Sequence, residues 1–321
     1  MPLTLVLTRA DVTRVLSMAR AVEAVRDVFA AYARGEAQMP PKVYLDLPDH
    51  HGDFRAMPSR LGASAGVKWV NSHPDNPAKH GLPAVMGVYV LSDAATAVPL
   101  AVMDATLLTA ARTGAAAAVA SHALGPRAPR TLGLVGCGVQ ARTLLSAHRV
   151  LFPELEVLAY DVRRDAAEAF AAESGARVVS AAEACGADLV CASTPGRTIA
   201  VRDEWVRSGA HVNAIGADGP GKQECETALL RRAHIVVDDR EQASHGGEVN
   251  VPLHRGELSP EAIRTSLGEV LAGLKPGRAR EDELTLFDST GLAVQDVALA
   301  RVIHEEARRR GVGVEVDLVG A

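Results

Sequence analysis

Cysteine is scarce. Four residues in 321, Cys137, Cys185, Cys191 and Cys225, are too few and too scattered for a disulfide scaffold. None forms the close pairs that hold a structural zinc. No apolar run reaches the roughly 18 residues that a membrane-spanning helix needs. The N-terminus carries no basic segment leading into an apolar stretch and a cleavage site, so secretion is not expected and the chain reads as cytoplasmic. Charge of one sign is missing too. The 34 Lys and Arg nearly balance 39 Asp and Glu, for a net −5, which argues against a nucleic-acid binder held by phosphate neutralisation. His50, His51, His73, His80 and His245 lie in no HExxH or EF-hand framework, so no metal site is expected. A Walker lysine loop and a GxSxG elbow are also absent. What is present is 48% hydrophobic residues, enough for a substantial core across two domains.

Periodicity divides the chain. Thr8 is placed to cap a helix through Leu16, and Ser17 to cap the next, in which Val22, Val25, Phe29 and Tyr32 recur at helical spacing until Gly35. Val43, Leu45 and Leu47 alternate with polar residues, and 66–70, 85–91 and 98–103 read as strands. This first stretch reads as an α+β module with a mostly antiparallel sheet. An alanine-rich helix is expected over Thr106–Leu124. Strands at 131–135, 157–160, 188–192, 212–215 and 235–237 then alternate with helical segments, which implies βαβ units and a doubly wound parallel sheet. Residues 292–310 form a helical pattern, and 312–319 alternate like an edge strand that needs a sheet to join. The expected fold class is therefore α/β, with a second, α+β domain made from both chain ends. The division is read as 1–115 plus 300–321 for the α+β domain, and 116–299 for the doubly wound one.

Gly136-Cys137-Gly138-Val139-Gln140-Ala141 follows directly on the strand ending at Val135. The first glycine permits a tight turn, and the second lets backbone approach a pyrophosphate at the next helix's N-terminus. Ala141 is small enough for close helix–strand packing. Asp161, 25 residues beyond Gly136, ends the next strand, where a carboxylate accepts bonds from the adenosine ribose hydroxyls. That carboxylate favours NAD by repelling a 2′-phosphate; Arg163 and Arg164 could reach such a phosphate, which keeps NADP open. Ser193-Thr194-Pro195 and Asp288-Ser289-Thr290-Gly291 could line the same crevice, although an ordinary turn and a helix cap would also account for them. Candidate cofactor residues are thus Thr113, Gly136, Gly138, Val139, Gln140, Asp161, Arg163, Ser193, Thr194, Ser289 and Thr290.

Basic side chains punctuate apolar sequence near the N-terminus. Lys42 follows Pro40-Pro41, Arg55 precedes Met57-Pro58 after a glycine-containing loop, Lys68 lies in Gly66-Val67-Lys68-Trp69-Val70, and Arg112 interrupts the alanine-rich run. Each alone is compatible with a solvated surface. Together they could hold a small carboxylate, with an arginine as bidentate clamp. Asp218, in Ile215-Gly216-Ala217-Asp218-Gly219-Pro220-Gly221-Lys222, follows a predicted parallel strand, where open α/β sheets place ligands and where an acid can move protons.

At this point the chain resembles the ornithine cyclodeaminase and mu-crystallin family, especially its archaeal-type alanine dehydrogenase branch. The resemblance runs nearly end to end. It rests on Gly66–Asn71, Gly81-Leu82-Pro83, Ala111–Ala115, the glycine turn with Gln140, Ile215–Asp218, Pro220–Glu224, Gly247–Leu253, Ser266–Glu269 and Phe287–Leu292. It implies a homodimer with a Rossmann-like domain and a substrate and dimerisation domain built from both chain ends. It carries Lys68 and Asp218 into catalytic roles and Arg112 and Arg55 into substrate binding; Lys42 stands where the cyclodeaminase pattern has an arginine. At position 55 that pattern carries glutamate. A guanidinium there disfavours the distal ammonium of a diamino acid and suits a short 2-oxo acid or cyclic imine carboxylate. The expectation is reversible NAD-linked deamination of L-alanine to pyruvate and ammonia. The alternatives are a ketimine reductase of the pyrroline-2-carboxylate type, an ornithine cyclodeaminase, and a crystallin-like ligand-binding protein without turnover.

Overall fold

β1 (Thr4–Leu7) leads into α1 (Arg9–Val15), which starts on a closed capping box: the Thr8 hydroxyl accepts the Asp11 amide, and the Asp11 carboxylate accepts the Thr8 amide. Ser17 occupies the N-cap of α2 (Met18–Ala33) but its side chain makes no capping bond, and the helix buries Val22, Val25, Val28 and Phe29. There follow β2 (Ala37–Gln38), β3 (Val43–Leu47), β4 (Gly52–Leu61), β5 (Ser64–Ser72), α3 (Asn76–His80), β6 (Val85–Asp93) and β7 (Pro99–Asp104). The long helix α4 (Thr106–Leu124) has the bounds its composition predicts. The computed structural model describes residues 3–320, and the chain forms two units, Met1–Arg112 with Leu292–Ala321, and Thr113–Gly291.

The second unit runs through β8 (Thr131–Val135), α5 (Val139–Leu151), β9 (Glu156–Tyr160), α6 (Arg164–Ser174), β10 (Arg177–Val178), α7 (Ala181–Cys185), β11 (Leu189–Ala192) and β12 (His211–Ala214). It continues with α8 (Thr227–Arg232), β13 (His234–Val237), α9 (Arg240–Gly246), α10 (Asn250–His254), β14 (Thr265–Ser266), α11 (Leu267–Leu271) and β15 (Thr285–Asp288). α12 (Ala293–Arg310) and β16 (Val314–Val316) return the chain to the first unit.

Among the described residues the second unit's sheet is parallel throughout, in the order β10-β9-β8-β11-β12-β15-β13-β14. Leu189 and Cys191 of β11 enter one apolar cluster with Ala141 and Leu144 of α5. Their neighbours Val190 and Ala192 enter another with Leu229 and Leu230 of α8. Helices thus cover both faces, as a doubly wound, Rossmann-like sheet requires. The first unit's sheet has the order β16-β1-β7-β6-β5-β4-β2, with β3 also on β4, and is antiparallel apart from the β1–β7 pair. β16 on β1 shows that both chain ends build this domain.

Three readings need correction. Residues 52–61, where the sequence marks only a glycine-containing loop ahead of Arg55, form a ten-residue strand. Pro58 is tolerated because β3 pairs with β4 only as far as Ala56 and β2 only from Arg60, so Pro58 stands opposite the gap. The terminal strand spans Val314–Val316 rather than 312–319. Asp288 does not cap the last helix: its carboxylate accepts the Glu248 and Val249 amides, and Leu292 holds the N-cap position. All four cysteines are buried free thiols, and no helix among the described residues is long and apolar enough to cross a membrane.

Candidate functional site

In the first unit, β4 and β5 pair with Met57 opposite Lys68 and Arg55 opposite Val70, so these four side chains share one sheet face. α12 packs on β4 and β5. Met57 and Val70 form an apolar cluster with Ala293 at the start of this helix. Lys68 is fully buried there, and its Nζ donates to Asp296 Oδ1 at 2.9 Å while lying 2.8 Å from Oδ2. Arg112, at the unit's boundary on α4, brings Nε to 3.2 Å from Asp296 Oδ1 and donates from Nη1 to Gln295 Oε1 at 3.3 Å. Burial pulls the Lys68 ammonium down to about 7; Asp296 opposes the shift, and the cations Arg112 and Lys42 reinforce it. A lysine so poised exchanges a proton near neutral pH, which its exposed counterpart cannot do. The Gln295 side-chain amide nitrogen is buried without a hydrogen-bond partner, a donor left over in a cationic neighbourhood.

Arg112 and Lys42 are therefore both within electrostatic reach of Lys68. Arg55 shares the sheet face of Lys68 but is already clamped. Its Nε and Nη2 donate to Asp53 at 2.8 and 3.0 Å, and its guanidinium lies 5.4 Å from the Tyr44 ring centre. Asp296 and Gln295 escaped the sequence reading. The signal was available: two polar residues follow Ala293-Val294 on a face that Val297 and Ala300 continue as buried.

In the second unit Gly136 takes φ +94°, a conformation that favours glycine, and its missing Cβ would stand 2.8 Å from the Ser193 carbonyl oxygen. Gly138 is the N-cap of α5 with no side-chain capping bond, and the space where its Cβ would lie is open. The first amides of a thirteen-residue helix thus lie beside a glycine with room in front of it, a geometry that fits a pyrophosphate. Val139, two-thirds exposed, and Gln140 open that helix. Asp161 accepts the Cys137 amide at 2.8 Å and the Arg163 amide at 2.9 Å, tying the glycine turn to the end of β9. Ser193 Oγ donates to the Gly136 carbonyl at 3.3 Å. Thr113 and Ser289 are buried. Thr290 is occupied by Asp238, which accepts its amide at 2.7 Å and its hydroxyl at 3.0 Å. Asp218 lies on the turn after β12 and receives a hydrogen bond from Lys222 Nζ, a partner the sequence reading did not assign. The residues present fit a dinucleotide.

Residues 3–311 match the profile of the ornithine cyclodeaminase/mu-crystallin family. The chain belongs to that family. It is 50% identical over 318 residues to an alanine dehydrogenase of Archaeoglobus fulgidus, with 98% of each chain covered. Among solved structures it is similar to an archaeal alanine dehydrogenase dimer with bound NAD, at a TM-score of 0.95, 49% identity and coverage of 98% and 99%. It is also similar to the Thermococcus litoralis Δ1-pyrroline-2-carboxylate reductase in complex with NADH and L-proline, at a TM-score of 0.93, 34% identity and coverage of 98% and 100%. Relatives of nearly the same fold thus carry names with different substrates, so the fold alone does not choose the substrate.

Proposed function

We propose that this chain is an NAD-dependent oxidoreductase that interconverts L-alanine with pyruvate and ammonia, acting as a cytoplasmic homodimer. The observation that carries the reading is the buried Lys68–Asp296–Arg112 cluster, a titratable amine beside a guanidinium, in a chain that also holds a glycine-turn nucleotide cradle. The unit of residues 113–291 is assigned the dinucleotide, and that of 1–112 with 292–321 the substrate and the dimer contact.

Bound NAD supplies a hydride acceptor for C2 of the amino acid. Arg112, with Lys42 and Arg55, holds the substrate carboxylate; a guanidinium fixed by a second partner orients it at low entropic cost. Lys68 Nζ, its ammonium pulled down to about 7 by burial, hydrogen-bonds the amine or carbonyl oxygen and stabilises the charge that develops there, without a covalent bond. Asp218 transfers protons through water, held by Lys222. Asp161 receives the adenosine ribose hydroxyls, which favours NAD over NADP. Thr113, Gly136, Gly138, Val139, Gln140, Arg163, Ser193, Thr194, Ser289 and Thr290 complete the assigned cofactor set.

The similarity to a pyrroline-2-carboxylate reductase supports a second reading, reduction of a cyclic imine carboxylate with the same clamp and no free ammonia. A substrate panel separates the two. Alanine with NAD should yield NADH, and pyruvate with ammonia and NADH should consume it; consumption with pyrroline-2-carboxylate alone would replace the lead. Product from ornithine without net NADH would mark a cyclodeaminase, and nucleotide binding without any turnover a crystallin-like ligand-binding protein. Asp218→Asn should lower turnover by about 10²–10⁴-fold, the range that positioned acid–base groups supply. Wild-type turnover in a folded variant removes the proton-transfer role.

A further inference from the structure

Glu224 is fully buried in the second unit and belongs to none of the substrate or cofactor residues assigned above. Its carboxylate joins two turns. Oε1 accepts the Thr194 amide at 2.6 Å, on the turn after β11, and Oε2 accepts the Gly216 amide at 2.5 Å, on the turn after β12 that carries Asp218 two residues on. The fit leaves little slack: a Cβ at Gly216 would stand 2.1 Å from the Thr194 carbonyl oxygen and 2.6 Å from Glu224 Cδ. Only a carboxylate offers an acceptor on both sides of such a bridge; a side-chain amide presents its NH₂ to one of the two amides.

The bridge is itself supported. Glu248 accepts the amides of Glu224 at 3.0 Å and Cys225 at 2.6 Å, and Asp288 accepts those of Glu248 at 2.9 Å and Val249 at 3.2 Å. Three buried carboxylates thus each bridge two backbone amides, in a relay from the end of β15 to the two turns. Burial raises all three: Glu224 and Glu248 are pushed up, and Asp288 to about 8. The charges of Glu224 and Asp288 raise Glu248 further, while Lys222 pulls Glu224 back down. Burying three acidic groups is unfavourable in either protonation state, and an apolar core would hold the sheet at lower cost. Their use points to a task that needs fixed backbone geometry.

We propose that Glu224 is a positioning residue, holding the Ser193–Thr194 turn and the Gly216–Asp218 turn in register so that one carboxylate sets both the cofactor turn and the proton-transfer group. This rests on the roles assigned to those turns above. Glu224→Gln keeps the side-chain shape and one acceptor. The variant should melt within a few degrees of wild type, lose at least tenfold in kcat, bind NAD at least fivefold more weakly by calorimetry, and shift the Asp218 limb of the kcat/KM pH profile. In an Asp218→Asn background Glu224→Gln should lower kcat by less than twofold, because the group it positions has gone. A merely structural role predicts instead a lower melting temperature with unchanged kcat per folded site, an unmoved pH limb and additive losses in the double variant; that outcome overturns the proposal. If Glu224→Gln does not fold, Glu224→Asp serves. It keeps both acceptors one methylene short, and unchanged kcat and NAD affinity in it overturn the proposal equally. The two readings fail separately. Wild-type turnover in Asp218→Asn sinks the role of Asp218 while NAD affinity still reports on the Thr194 turn, whereas a folded Glu224→Gln with wild-type affinity and pH profile sinks Glu224 alone.

Discussion

Lys68 is charged in the unfolded chain up to an ordinary value of 10.5 and in the folded protein only up to about 7. Between those values the unfolded state binds the extra proton, so stability rises with pH; the burial penalty is complete below about 7 and gone above about 10.5. Urea unfolding of wild type and Lys68→Met at pH 7, 8 and 9 should show the difference moving in favour of wild type by up to about 1.4 kcal/mol per pH unit. A constant difference would mean that Lys68 keeps an ordinary ammonium. Asp161 offers a second residue-scale test. Asp161→Asn retains an acceptor for the Cys137 amide but removes the charge that repels a 2′-phosphate, beside Arg163 and Arg164. The ratio of kcat/KM for NADP to that for NAD should rise by about tenfold or more, the effect of roughly 1.4 kcal/mol. An unchanged ratio places cofactor choice elsewhere.

Helices and strands were legible where their own residues carry the period. α4 needs only alanine propensity and closing prolines, and the β8 strand, the glycine turn and α5 are written contiguously. β4 was not legible because Pro58 reads as a breaker unless the gap between β2 and β3 is known. The motif residue Gly114 shows the same limit. Ala at a helix interior gains about 1 kcal/mol over Gly. Here its Cβ would stand 2.3 Å from the Thr143 carbonyl oxygen, which belongs to the backbone of α5 and cannot rotate away. Overpacking of that kind costs about 1–3 kcal/mol, so Gly114→Ala should lower the melting temperature by a few degrees. A raised melting temperature would show that propensity wins.

At the scale of the whole molecule, the sheet face opposite α12 carries the argument for a dimer. Val43 is 63% exposed and Leu45, Trp69 and Val88 about half exposed, with Leu45 paired to Phe54 and Trp69 to Val88. Phe54 stacks on Trp69 at 5.0 Å, and both line a cleft of about 620 Å³ with Met86 and Val88. Contiguous apolar surface of this kind is what the proposed homodimer would cover. Leu45→Glu with Trp69→Glu should convert the proposed dimer to monomer in sedimentation equilibrium while preserving the far-ultraviolet circular dichroism; a dimer that survives both charges is built on another face.

The family motifs, the nucleotide turn with Asp161, and the basic residues Lys42, Lys68 and Arg112 stand in the sequence by itself, because residue type and short spacing are local properties. Which anion meets Lys68 does not, since Asp296 lies 228 residues away and reaches it only once α12 packs on β5. Nor could local sequence show that Glu224, Glu248 and Asp288 form one buried chain of acceptors across the ends of several strands. Desolvation and backbone satisfaction belong to the packed interior, and only the tertiary structure decides what surrounds a charge there.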